Sequence, residues 1–410
     1  MQFKNVLLPL AVAAGVSAAS TSSSSSSKLC SSSLTVSSQS DLDGIASCST
    51  FTGNIIFEGN MATANIGGIE SLDGDLIVKN ITTLNSITAP LLANITGAFT
   101  LEILQSLTTV SFPKLTTVGD ITFVTLNVLD TFQLDAGITK AKSLIISDTT
   151  IKSLEGISLM TVDTLNINNN KFLTTLDFNL RSVSNILEFS STGSNVKVTF
   201  PYLQWANNIT LRDVSSLSLP NVTTINSTLS FTNNSIASIS VPKLSKIGGS
   251  LAIVANDKLS NASFPKLETI GGGFQIANNT KLDSILGFPL VKSVGGAINI
   301  VGGFDNATVP SLEIVQGGVS IESDSELFNC SSWNDLQKEG AIRGDSYQCK
   351  AASVSTSVAI TSGAATATKG SKAAATGSVE ASTTASSSGA GYMVEASSLG
   401  AIAALLFQFL

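Results

Sequence analysis

A pair of apolar residues two positions apart recurs along this chain at an almost constant interval. The pairs are Ile55/Phe57, Leu76/Val78, Phe99/Leu101, Ile121/Phe123, Leu144/Ile146, Leu165/Ile167 and Leu187/Phe189, followed by Ile209/Leu211, Leu229/Phe231, Leu251/Ile253, Phe274/Ile276, Ile298/Ile300 and Val319/Ile321. Successive pairs start 20 to 24 residues apart. Side chains alternate across a strand, so each pair marks a short strand with one buried face. A coil of about 22 residues cannot bury that face alone, and stacking is compulsory. The pattern predicts a solenoid over residues 55–321 with thirteen rungs. At the ~4.8 Å strand spacing these form a rod about 60 Å long.

Other residue types keep the same phase. Apart from Pro9, every proline falls between two pairs, at 90, 113, 201, 220, 242, 265, 289 and 310. Proline cannot donate to a ladder and therefore marks the corner of a coil. Around it recurs an apolar-Pro-x-apolar-x-x-apolar-Gly phrase, as in Phe112-Pro113-Lys114-Leu115 to Val118-Gly119, Val241-Pro242-Lys243-Leu244 to Ile247-Gly248 and Phe264-Pro265-Lys266-Leu267 to Ile270-Gly271. The glycines are expected to supply a tight turn into the next strand. Five positions after the first apolar residue stand Asn170, Asn234, Asn256 and Asn279. Asparagine is common in turns, but the fixed phase predicts a ladder of amides stacked from coil to coil.

Outside the repeat, Met1–Ala18 has Lys4, an apolar run from Val6 to Val16 and small residues after it. This has the form of a secretory signal, with a Ser-rich N-terminus and cap expected over 19–54. Cys30 and Cys48 precede the repeat, and Cys330 and Cys349 follow it. Four cysteines allow three connectivities. Pairing within each end closes loops of similar length and staples a cap over each exposed apolar cross-section. Ser40–Ile45 and Ser332–Leu336 are candidate capping helices, with Trp333 covering the last coil. A metal site is disfavoured by the lack of a C-x-x-C pair and by the absence of histidine.

Composition narrows the functional classes. Charged residues are only 12%, the net charge is -7 and His is 0. With no basic stripe the chain is not a nucleic-acid binder, and its charge is insensitive to pH between roughly 5 and 8. N-x-S/T sequons stand at Asn80, Asn94, Asn208, Asn221, Asn226, Asn233, Asn261, Asn278 and Asn306. These are the expected glycan sites; a further one at Asn329 abuts Cys330 and reads as coincidental. Asn80, Asn233 and Asn278 share a phase, four residues after their strand's first apolar residue, which implies one outward edge. After a C-terminal cap at 322–349, residues 350–389 are a Ser/Thr/Ala-rich stalk. Gly389-Ala390-Gly391, the spacer Tyr392–Ser398 and the short apolar tail Leu399–Leu410 match a glycosylphosphatidylinositol (GPI) signal. The expected attachment residue is Gly389, with 390–410 removed.

Catalysis finds little support. The lack of histidine removes Ser-His-Asp and Cys-His chemistry. Asp148 and Asp213 share a phase but lie three coils apart, roughly 14 Å, against the roughly 5–9.5 Å of glycosidase carboxylate pairs. No cofactor site is suggested. Arg343-Gly344-Asp345 spells an integrin-type tripeptide, but a place inside the C-terminal cap suits a turn.

Several stretches then resemble one family: Met1-Gln2-Phe3-Lys4-Asn5, Ser147-Asp148-Thr149-Thr150, Asn166-Ile167-Asn168-Asn169-Asn170, the long string Trp205–Asp213, Gly271-Gly272-Gly273-Phe274 with Ile276-Ala277-Asn278-Asn279, and Gly340-Ala341-Ile342 before Gly344-Asp345-Ser346. The chain resembles the fungal GPI-anchored cell-wall organisation proteins of the extracellular-mutant and sporulation-specific type. The resemblance implies an all-β fold, a right-handed parallel β-solenoid of receptor L-domain and leucine-rich-repeat-like kind with short helical, disulfide-stapled caps. It also implies a non-enzymatic glycoprotein at the plasma membrane and wall, with wall glycans such as β-glucan and the GPI lipid as its partners. A glycan- or protein-binding surface module is the alternative.

Overall fold

The computed structural model describes residues 29–190 and 196–352. The signal segment, residues 353–389 of the stalk with the expected attachment residue Gly389, and 390–410 lie outside them. The chain winds into a parallel β-solenoid of about 13 turns. Its principal side is one continuous parallel ladder in which every apolar pair lies in register with the next. Ile55 and Phe57 face Leu76 and Val78, Leu251 and Ile253 face Phe274 and Ile276, and Ile298 and Ile300 face Val319 and Ile321. The residues of each pair are fully buried and belong to one core that runs the length of the stack. Aromatic contacts cross between coils, as in Phe99 against Phe123 and Phe264 against Phe288.

The ladder extends one rung beyond the repeat at each end. Leu34–Val36 pairs with Ile55–Phe57, and Tyr347–Ala351 pairs with Val319–Ser323, which puts Cys349 opposite Ile321. Cysteine thus takes the second apolar position of the last rung. The disulfides are Cys30–Cys48 and Cys330–Cys349, and the second fastens its cap to the terminal strand. Helix α1, Gln39–Ile45, closes the first end with Leu42 and Ile45 buried. Its first turn is held by the Asp41 carboxylate, which accepts the backbone N–H groups of Ser37 and Ser38, both at 2.8 Å. These bonds keep the Asp41 carboxyl below the usual carboxylate range. Helix α2, Ser331–Lys338, closes the other end. Trp333 is wholly buried, and its indole N–H donates to the Ala307 carbonyl at 2.9 Å, which roofs the last coils.

The corners at Pro113, Pro265 and Pro310 are closed reverse turns. The amides of Leu115, Leu267 and Leu312 donate to the carbonyls of Phe112, Phe264 and Val309 at 3.1 Å, with proline at the second position where its fixed φ is already suitable. The glycines that follow act differently from the sequence expectation. Gly248, Gly271 and Gly295 do not have positive φ. A Cβ on Gly271 would sit 2.0 Å from the carbonyl oxygen of Gly248, and one on Gly248 2.1 Å from that of Asn226. These glycines let one corner nest against the next, and do not set the turn itself. Positive φ falls elsewhere, in a column four residues after the first apolar residue of nine of the strands. It holds Asn80, Ile103, Thr125, Asp148, Asn169, Asp213, Asn233, Ala255 and Asn278, all between 49° and 59°.

Candidate functional surface

Of the asparagines beside that column, Asn234, Asn256 and Asn279 form the expected ladder, and Asn170 stands apart from it. Asn170 and Asn256 are fully buried, and Asn234 and Asn279 nearly so. Asn256 Nδ2 donates to the Phe231 carbonyl at 3.0 Å, while its Oδ1 accepts the backbone N–H of Asn234 at 3.0 Å. Asn279 repeats the arrangement one coil on, donating to the Ile253 carbonyl at 2.8 Å and accepting from the Asn256 backbone at 2.9 Å. Asn170 does the same for Ile146 and Thr149. Every amide therefore pairs backbone groups that the corner leaves without ladder partners. The ladder is structural and leaves the outer face to present other side chains.

That outer face is polar and largely uncharged in its middle coils, where Asn166, Glu188, Thr210 and Ser230 lie between the buried pairs. Its side chains bond one another along the stack. Ser147 Oγ donates to Asn168 Oδ1 at 2.6 Å, Asn168 Nδ2 to Asn166 Oδ1 at 2.8 Å, and Asn166 Nδ2 to Glu188 Oε2 at 3.2 Å. The carboxylates of the same phase are engaged locally: Asp148 shares the single Ser147 hydroxyl proton with Asn168 Oδ1 and accepts from Asn169, and Asp213 accepts from Asn233 Nδ2 at 2.8 Å. Three ladder steps separate Asp148 from Asp213. They do not form a pair.

The positive-φ column explains why three sequons share a phase. Asparagine tolerates the left-handed region better than most residues, so the corner selects it at 80, 233 and 278 independently of sugar. All three are exposed, as are Asn226, Asn261, Asn306 and Asn329. Asn261 and Asn306 lie on the opposite side of the coil, in the short strands Asn261–Ser263 and Asn306–Ala307. Asn94, Asn208 and Asn221 are half-buried. Asn94 Nδ2 donates to Ser71 at 3.1 Å and Asn221 Nδ2 to the Pro201 carbonyl at 2.6 Å. In the tripeptide Arg343-Gly344-Asp345 the glycine is required by packing, since a Cβ there would meet the Gly317 backbone at 2.2 Å.

One feature of the surface was not anticipated. A cleft of about 570 Å³ opens on the side opposite the main ladder, lined by 131–135 and Gly137 from one coil and by Ser153, Glu155 and Gly156 from the next. The apolar pairs continue unbroken through these coils, so the core pattern carries no sign of it. The available signal was the proline spacing, because no proline occurs between Pro113 and Pro201.

Fold and surface define a disulfide-capped parallel β-solenoid built to present side chains along a stack. Cell wall mannoprotein PST1 of Saccharomyces cerevisiae is 40% identical to it over 325 residues, which cover 79% of this chain and 73% of that protein. The cell surface GPI-anchored protein ECM33 of Candida albicans is 34% identical over 352 residues, 85% of this chain and 84% of its own. Sporulation-specific protein 2 of S. cerevisiae is 32% identical over 308 residues, 74% of this chain and 61% of its own. No protein-family model and no solved structure matches the chain. The chain belongs to the fungal family of GPI-anchored cell-wall and sporulation proteins, and it is a cell-wall and cell-surface protein. Among the described residues no helix is long and apolar enough to cross a membrane.

Proposed function

We propose that this protein is a non-catalytic scaffold required for the organisation and integrity of the fungal cell wall. Its C-terminus is carried on a GPI lipid at Gly389 in the outer leaflet of the plasma membrane, after loss of 390–410, and its solenoid contacts wall glycan, β-glucan included. The observation that carries this reading is the state of the outer face. Its polar side chains bond one another from coil to coil, and its carboxylates are held by neighbouring Ser and Asn in place of facing a partner across a reacting centre. A surface of this kind offers hydroxyl and amide groups in rows at the ~4.8 Å strand spacing, which suits contact with an extended polymer more than turnover of a bond. N-glycans at Asn80, Asn226, Asn233, Asn261, Asn278 and Asn306 fit the exposure of those residues. Asn94, Asn208 and Asn221, also expected to carry sugar, are half-buried.

Mass spectrometry of protein stripped from the cell surface tests the anchor. It should return a C-terminal peptide that ends at Gly389 and carries a glycolipid. An intact C-terminus at Leu410 would remove the anchor. The second reading, a recognition module, is favoured by the cleft.

A further inference from the structure

On the side opposite the main ladder the coils form shorter parallel patches. One patch comprises Thr63–Asn65, Ser86–Thr88 and Thr109–Ser111, and the next begins at Thr175–Asp177. The two coils between them contribute only isolated bridges on this side, Ser111 with Gln133 and Ile138 with Ile157. The first bridge sets the register: Gln133 lies beneath Ser111, so Phe132 continues the inward column of Ala64, Ile87 and Val110. Those three are buried. Phe132 is only partly covered, although it packs against Phe123. The following coil does not close over it. Gly156, at φ 87°, brings that coil so close to Leu134 that a Cβ would lie 2.7 Å from the Leu134 Cβ. The backbone is therefore drawn onto Leu134, and the space beside Phe132 stays open as the cleft of about 570 Å³. That volume lies within the ordinary range of small-ligand sites.

We propose that this cleft is a recognition site for a short, neutral, hydroxyl-rich oligosaccharide. Its lining selects that chemistry. Asp135 and Glu155 are exposed carboxylates that accept hydroxyl protons, and Gln133, Ser153 and Thr131 can both donate and accept. Gln133 is already oriented, since its Oε1 accepts from Ser111 at 2.8 Å and its Nε2 donates to Asp135 at 3.0 Å. Phe132 supplies a partly bare ring for the apolar face of a sugar. Two carboxylates with no lysine or arginine in the lining oppose an anionic ligand. Lys152, beside Ser153, pairs with Asp130 at 2.7 Å. Two carboxylates are also fewer donors than a protein cation site ordinarily gathers.

This inference rests on the wall assignment, and its test separates the two. The full-length protein, purified from the cell surface, is titrated calorimetrically with short glucose and mannose oligosaccharides and with glucosamine oligomers. Amide hydrogen exchange is followed in parallel. A neutral oligosaccharide should bind and slow exchange at 131–137 and 153–156. The Asp135→Ala/Glu155→Ala variant, altered only at exposed positions, should lose at least tenfold in affinity while keeping its melting temperature. Glu155→Gln, which retains shape and one acceptor, should lose less. The proposal is overturned if no neutral oligosaccharide binds, if binding is unchanged in the double variant and protects other coils, or if the glucosamine oligomer binds more tightly than its neutral counterpart. An absence of binding, in cells whose wall weakens when the whole chain is deleted, would remove the cleft and leave the scaffold standing. A wall unaffected by the deletion would remove the scaffold whatever the cleft binds.

Discussion

Two positions in successive coils place opposite demands on glycine, and they can be separated by substitution. Ala255 holds φ at 56°, in a region that alanine tolerates less well than the asparagines at 233 and 278 do. Relief of that backbone strain should make Ala255→Gly more stable by about 1 kcal/mol. Gly271 carries no positive φ, yet a Cβ there would meet the Gly248 carbonyl at 2.0 Å. Gly271→Ala should cost about 1–3 kcal/mol as the corners are forced apart. Thermal denaturation of the two variants reads both signs, and a destabilised Ala255→Gly would mean that the corner is not strained. The amide ladder belongs to the same scale. Asn256 serves two neighbouring coils, so Asn256→Ala strands the Phe231 carbonyl and the Asn234 amide and should cost about 1–3 kcal/mol. Combination with Asn279→Ala should be non-additive, because the two side chains share the bond of 3.0 Å between Asn256 Nδ2 and Asn279 Oδ1. Unchanged melting of both variants would reduce these residues to ordinary turn chemistry.

At the scale of elements, the coils depend on their ends. A stack of identical rungs gains stability only between neighbours, and a terminal rung leaves its apolar cross-section bare unless a cap covers it. Cys349 is part of the last strand and Cys330 immediately precedes helix α2, so Cys330→Ser frees the roof that Trp333 forms. The expected loss is roughly 2–5 kcal/mol, seen as lower secretion and early unfolding of the last coils in hydrogen exchange. Equal protection of the last coils in variant and parent would show the staple to be dispensable. The period of two within a strand and about 22 between strands made these elements legible, because burial on one face forces the apolar pairs into view. The outermost rungs were less visible. Leu34 and Val36 sit in a Ser-rich stretch, and Tyr347 with Cys349 replaces an aliphatic pair. The cleft was hidden for a different reason: it arises where the second side of the coil fails to pair, while the buried pairs at Ile121, Leu144 and Leu165 continue without a break. The role of the glycines was misjudged from sequence, since close approach and positive φ both select glycine and only coordinates tell them apart.

At the scale of the molecule, a stack of coils that presents rows of bonded polar side chains is a scaffold only if it is held where the wall is assembled. The solenoid can meet wall polymer in any position, but organisation of the wall from the membrane outward needs the chain to stay at the cell surface. The direct test is to replace the gene by a version truncated after Gly389, in cells that otherwise lack the protein, and to measure both its distribution and the resistance of the wall to glucanase digestion. The account predicts folded protein in the medium and a wall as weak as in the deletion, while the full chain restores resistance. Full resistance from the soluble, truncated chain would contradict it.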